Sequence, residues 1–293
     1  MDQPNTTLMQ HLVLSGGLEN GLVESGVLSS LEANGSLSVG DLESIYATSV
    51  GVTVAAFLCI GMSPEKICNY LVERPIYKDL TNACHIDRGC PRKGLLSGFF
   101  FRDLFRNVFL AEGQRVDMTL GELYSHSGIE LHAFTVGLDG LSLVDLNWRD
   151  TPNIPVWKAA HMSGALPGLF EPAYWEGRAY IDGGIRRNFP LPECMRDHPA
   201  PQSIYGITIS SRQPQRSSSG GEDSTMFEYL QDWVSAIVTI VAYPDEQPRD
   251  GVEILRIPSR PFTPGRLASI LAAIEDRDAR RGLVDFGKSL VKD

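Results

Sequence analysis

The sequence predicts an α/β fold in which a mainly parallel sheet is covered by helices. Short apolar runs of strand length alternate along the chain with segments whose apolar residues recur at helical spacing. Several strand-to-helix junctions are turns rich in Gly and Ser, the usual connection in such folds. The chain has 293 residues, 43% of them apolar and 21% charged, enough to bury a substantial core as one large domain or two small ones.

Taken in order, His11 to Ser15 is a short buried strand followed by a Gly-rich turn. From Leu22 to Leu31, the residues Leu22, Val23, Val27, Leu28 and Leu31 share one helical face, and Gly35 provides a stop. Ser44 to Thr48 reads as a second strand and Gly51 to Ile60 as an apolar helix. If Lys93 to Leu110 is helical, Phe101, Leu104, Phe105, Val108 and Phe109 form an aromatic-rich stripe, facing the core or walling an apolar substrate site. Further strands are expected at Glu130 to Val136, Leu141 to Leu146, Arg178 to Ile181, Ser203 to Ile209 and Val252 to Ile257. Met226 to Val241 and Arg266 to Leu290 read as helices. Ser211 to Thr225, rich in Ser, Gly, Gln and Arg, reads as a mobile surface loop. No internal repeat is visible.

Charge and cysteine usage narrow the setting. The 36 acidic against 26 basic side chains give a formal charge of −10, which argues against nucleic-acid binding and against standing electrostatic adsorption to an anionic membrane. Met1 to Gln10 lacks the basic start and apolar centre of a signal peptide. Val50 to Met62, the longest apolar run, is too short to span a bilayer, so no transmembrane segment is expected. Cys59, Cys68, Cys84, Cys90 and Cys194 are odd in number and scattered, which suggests a reducing, cytoplasmic setting rather than a disulfide framework. Cys84-His85-Ile86-Asp87-Arg88-Gly89-Cys90 lacks the spacing of a metal site and has no second pair, so no metal is expected.

Three strand-end turns carry candidate chemistry. Ala47-Thr48-Ser49-Val50-Gly51 would hold Ser49 on a sharp turn above the sheet, its hydroxyl exposed at a helix N-terminus; a plain N-cap serine is the structural alternative. Ser15-Gly16-Gly17-Leu18-Glu19-Asn20-Gly21 lets backbone amides approach an anion. Leu18 breaks a dinucleotide fingerprint and the absent Gly-Lys-Ser/Thr breaks a P-loop, leaving an oxyanion hole or a tight turn. Tyr180-Ile181-Asp182-Gly183-Gly184 puts a carboxylate at a strand end, where α/β folds gather site residues, although Asp-Gly is also an ordinary turn.

Together, in this order, the three turns resemble the patatin-like phospholipase family, whose pattern is Gly-Gly-Gly-x-Arg/Lys-Gly, then Gly-x-Ser-x-Gly, then Asp-Gly-Gly or Asp-Gly-Ala. The likeness extends to Leu28 through Glu32, Ser163 through Phe170 and Asn188 through Leu191, covering roughly residues 10 to 195. The resemblance implies a patatin-like three-layer α/β/α sandwich in which residues 10–195 form the catalytic core and 196–293 complete the same domain. It implies Ser49 as nucleophile and Asp182 as base, an oxyanion hole at Gly16, Gly17 and Leu18, and support from Gly21, Ala47, Gly51, Gly183 and Gly184. The implied reaction is hydrolysis of fatty-acyl esters of phospholipids or lysophospholipids through an acyl-enzyme, without cofactor or metal. Its substrate would be lipid at a membrane surface or in micelles, met peripherally. An activating protein partner is not indicated either way. His161, ahead of the Ser163 block, reads mainly as a buried structural residue. Leu18, Asn20 and Ala47 depart from the family pattern, and a catalytically silent lipid-binding protein is the alternative. The Phe99 to Leu110 stripe and Pro167 to Phe170 are expected to line the acyl channel, so Phe105→Asp should hurt long-chain esters more than short ones.

Overall fold

The central strands of the sheet, His11–Leu14, Ser44–Thr48 and Glu130–Gly137, are buried on both faces. The computed structural model describes residues 9–74, 93–211, 251–259 and 272–291. Its first half runs β1 (His11–Leu14), α1 (Asn20–Ala33), β2 (Ser44–Thr48), α2 (Val50–Cys59), α3 (Pro64–Glu73), β3 (Gly94–Leu96), α4 (Phe99–Ala111) and α5 (Leu120–Ser127). The chain continues through β4 (Glu130–Gly137), β5 (Ser142–Leu146), α6 (Val156–Gly164), β6 (Gly168–Phe170), β7 (Ala173–Trp175) and β8 (Arg178–Asp182). After these come α7 (Leu191–Asp197), β9 (Ile204–Ser211), β10 (Glu253–Ser259) and α8 (Arg277–Leu290).

The main sheet has the order β10-β9-β1-β2-β4-β8-β7, with β5 also paired to β4. Strands β10, β9, β1, β2 and β4 are parallel neighbours, whereas β8 and β5 run antiparallel to β4. Successive side chains alternate between faces. Leu12, Leu14, Ile45, Ala47, Leu131 and Ala133 enter the large core shared with α1, α2 and α3. Val13, Tyr46, Phe134 and Ile204 enter a smaller core with Phe189 and with Leu191 and Cys194 of α7. That double burial is why these strands read as continuous apolar runs in the sequence.

The C-terminal strands and helix join this architecture. β9 pairs with β1, and β10 extends the edge. α8 packs on α1 at a glycine contact: a Cβ at Gly287 would lie 2.1 Å from the Val23 carbonyl oxygen, and one at Gly26 would lie 2.1 Å from that of Val284. The helix expected over 266–290 is not continuous. Residues 266–271 lie outside the described residues; 272–275 are helical, and after a break at Asp276 its side chain accepts the Ala279 N–H at 2.8 Å to start α8 afresh. The helix expected at 226–241, all but the first residue of the loop expected at 211–225, and the Cys84 to Cys90 stretch lie outside the described residues. Cys59, Cys68 and Cys194 are buried free thiols.

Candidate active site

Two of the three sequence-predicted turns leave the ends of the parallel strands β1 and β2, and the third leaves the end of β8, which meets β4 antiparallel. Leu14, Ala47 and Ala133 share register across β1, β2 and β4, so the residues that follow Leu14 and Thr48 emerge side by side. Asp182 ends β8 opposite Thr135. Ser49 follows β2 directly and precedes α2, with φ 55° and ψ −124°. A non-glycine residue there is strained, and the strain lifts its hydroxyl off the sheet at a helix N-terminus.

Ser49 Oγ donates a hydrogen bond to Asp182 Oδ2 at 2.9 Å. The other carboxylate oxygen accepts the Gly184 N–H at 2.7 Å, and the Asp182 N–H is held by the Ala165 carbonyl at 3.0 Å. Asp182 is 5% exposed. Burial pushes its carboxyl up to about 6, while the bonds from Gly184 and Ser49 pull the other way. A carboxylate poised there serves as a base near neutrality far better than an ordinary aspartate.

The glycine loop lies against this pair. Gly17 has φ 148° and Leu18 φ 46°. Leu18 thus takes the positive φ that its side chain disfavours, and that side chain turns toward the cavity beside Ser49. The Gly16 N–H is already donated to the Asn188 carbonyl at 3.2 Å, which removes it as an oxyanion donor. Gly16 contributes closeness instead: a Cβ there would lie 2.8 Å from the Ser49 Cβ. Among the described residues, no acceptor takes the N–H of Gly17 or Leu18, and these two amides are the loop's available donors.

The supporting small residues mark close approaches. Gly21 faces Val50, Gly51 sits on the Ser15 carbonyl, and a Cβ at Gly183 would lie 2.1 Å from the Phe134 carbonyl oxygen. Ala47 is fully buried at the end of β2. Asn20 is also buried, at the start of α1, so the loop position that is basic in the family pattern holds a tucked-in amide.

An apolar cavity of about 900 Å³, counting its open mouth, starts at Ser49. Phe100, Phe101 and Leu104 of α4 wall it together with Leu169 and Phe170. The expected aromatic stripe is therefore split by the helix. Phe105 does not face the cavity; its ring packs against Phe57 and Phe109, with centroids 5.1 and 5.5 Å away, in the core. Phe99 and Leu110 are exposed, and Pro167 and Gly168 are not among the lining residues. The expectation for Phe105→Asp is thus corrected, because position 105 tests the core and positions 101 and 104 test the cavity.

His161 makes no hydrogen bond to either member of the pair. Its Nε2 bonds the Glu171 carbonyl at 3.0 Å and its ring stacks on Phe101 at 5.3 Å. Burial pushes its pKa down to about 4, which keeps it neutral. Sequence reasoning passed over three residues near the site. Ser163 Oγ accepts the Ser49 N–H at 2.8 Å, and Asn188 bridges to Gly16; both stand in blocks already noticed as part of the resemblance. Glu24, fully buried, accepts a 3.3 Å bond from Ser15 and is held well above the usual carboxylate range by burial. A glutamate inside an apolar helix has no periodic signal that marks it as buried.

The chain is similar to several known proteins. The description "Patatin-like phospholipase" matches residues 12–195. Probable lipid hydrolase 463L of Invertebrate iridescent virus 6 is 26% identical over 192 residues, covering 64% of this chain and 63% of that protein. The 85/88 kDa calcium-independent phospholipase A2 of Rattus norvegicus is 27% identical over 198 residues, covering 64% of this chain and 23% of the relative. The matches span less than two thirds of either relative's length. Among solved structures, VipD from Legionella pneumophila shares the fold with a TM-score of 0.56 at 15% identity, covering 95% of this chain and 67% of that one. A family match across most of the chain, on a mainly parallel α/β framework, leads to one conclusion: this protein belongs to the patatin-like phospholipase family.

Proposed function

We propose that the protein is a serine acylhydrolase that cleaves fatty-acyl esters of phospholipids or lysophospholipids. The observation that carries this reading is the 2.9 Å hydrogen bond from Ser49 to a buried Asp182 at the mouth of an apolar cavity. In the first half-reaction Ser49 Oγ attacks the ester carbonyl while its proton passes to Asp182 Oδ2. The tetrahedral oxyanion is met by the amides of Gly17 and Leu18, and the alcohol leaves with the proton from Asp182. In the second half-reaction Asp182 takes a proton from water as the water oxygen adds to the acyl-serine carbonyl. Collapse of this second tetrahedral intermediate breaks the bond to Ser49 Oγ, Asp182 returns the proton to Ser49, and the fatty acid is freed.

Residues 10–195 would supply this chemistry, and 196–293 would complete the same domain through β9, β10 and α8. The lipid would be met at a membrane surface or in micelles; no helix among the described residues is long and apolar enough to cross a membrane. A second reading, a catalytically silent lipid-binding protein, draws support from the Leu18 side chain in the loop and the buried Asn20. One experiment separates the two. Under the hydrolase reading, a long-chain fluorophosphonate adds covalent mass at Ser49, and Ser49→Ala and Asp182→Asn abolish the labelling. An unlabelled wild type that still binds lysophospholipid micelles would establish the second.

A further inference from the structure

We propose that Ser163 is a positioning residue that sets the nucleophile against the base, with Thr135 as its counterpart on the neighbouring strand. This rests on the hydrolase reading. Ser163 lies at the end of α6 and is fully buried. A helical serine commonly returns its hydroxyl to its own helix. Ser163 instead accepts the Ser49 N–H at 2.8 Å and donates to the Phe134 carbonyl at 2.5 Å. Both roles of the hydroxyl are used, so its orientation is fixed, and it clamps the backbone of the strained residue that carries the nucleophile.

The same segment holds the base. Two residues beyond Ser163, the Ala165 carbonyl accepts the Asp182 N–H at 3.0 Å. Thr135 Oγ1 lies 2.7 Å from the Met162 carbonyl and 2.9 Å from the Ile181 carbonyl. One buried hydroxyl, with a single proton to share between two carbonyl acceptors, therefore sits between the residue before Ser163 and the residue before Asp182. Residues 162–165 are bonded to the nucleophile at one end and to the base at the other, and both are anchored on β4 at Phe134 and Thr135. Without the Ser163 hydroxyl, the Ser49 N–H and the Phe134 carbonyl lose their partners, and the turn is released from its positive φ. Ser49 Oγ then drifts from Asp182, and a displacement near 1 Å costs on the order of 100-fold in rate.

The test uses the full chain and a soluble short-chain p-nitrophenyl ester. For Ser163→Ala we expect kcat to fall about 10- to 100-fold with KM within about threefold, since the interaction lost orients the reacting atoms and not the acyl chain. The pH at which kcat/KM levels off should rise by about half a unit, because the weakened Ser49 bond no longer favours the Asp182 carboxylate. Ser163→Thr, which keeps the hydroxyl, should recover most of both quantities. If Ser163→Ala does not fold, Thr135→Val removes the second tie without changing side-chain volume much and should show a smaller kcat loss with the same upward shift. An active wild type alongside variants with unchanged kcat and pH midpoint, or with a loss in KM alone, overturns the positioning role while leaving the hydrolase reading intact. A wild type without Ser49-dependent turnover removes both.

Discussion

Replacing Asp182 with asparagine should abolish turnover and also make the folded protein more stable at neutral pH. The carboxyl is buried, and its pKa stands at about 6 against an ordinary 3.8. A group whose pKa is raised on folding is tolerated in full while protonated, below the unfolded value, and that tolerance is lost as pH climbs through the folded value. Above about pH 6 the native state therefore carries a charge that it disfavours by about 3 kcal/mol, taking 1.36 kcal/mol per unit. Asparagine keeps the shape, accepts the Gly184 N–H through Oδ1 and presents an amide that the Ser49 oxygen can accept. It should recover most of that energy at about pH 7.5, a rise in Tm of about 6 °C for a chain of this size. At about pH 4, where the native aspartate is already protonated, the gain should nearly vanish. Thermal melts of wild type and Asp182→Asn at the two pH values measure the difference directly. Equal melting temperatures at pH 7.5, or a gain of the same size at both pH values, would refute the idea that burial of a charged base is held at the expense of stability.

Further predictions concern the base, the cavity and the C-terminal helix. In the wild type, kcat/KM for a soluble ester should drop about tenfold per pH unit below about 6 and level off above it, as Asp182 takes up its proton. His161→Asn should leave that midpoint in place, and a midpoint that moved with His161 would reassign the titrating group. Phe101→Trp should narrow the cavity and cut kcat/KM for long-chain esters about tenfold more than for short ones. Phe105→Ala should instead lose about 3–5 kcal/mol in a denaturant titration with no chain-length preference, and a preference there would place Phe105 in the cavity wall after all. Gly287→Ala puts a methyl group on the Val23 carbonyl and should destabilise the whole chain by about 1–3 kcal/mol. If global unfolding did not change, α8 would be an appendage and not part of the core.

The sequence by itself determined the fold class and picked out three strand-end turns, because both are written in local pattern. Double-sided burial leaves short apolar runs such as Leu12 to Leu14 and Ile45 to Ala47, and the strand-end turns keep short motifs around Gly17, Ser49 and Asp182. The three-residue strands β3, β6 and β7 left no such pattern, since their conformation comes from pairing and not from propensity. The tertiary structure alone decided which side of a feature faces what. Helix α4 turns Phe101 toward the cavity and Phe105 into the core, a separation of one helical turn that sequence periodicity assigns to a single stripe. It also decided that the Gly16 amide is already bonded, that burial raises the Asp182 carboxyl to about 6, and that Ser163 reaches the Ser49 backbone from 114 positions away. Burial and hydrogen-bond partners are set by contacts distant along the chain, and no local spacing of residues encodes them.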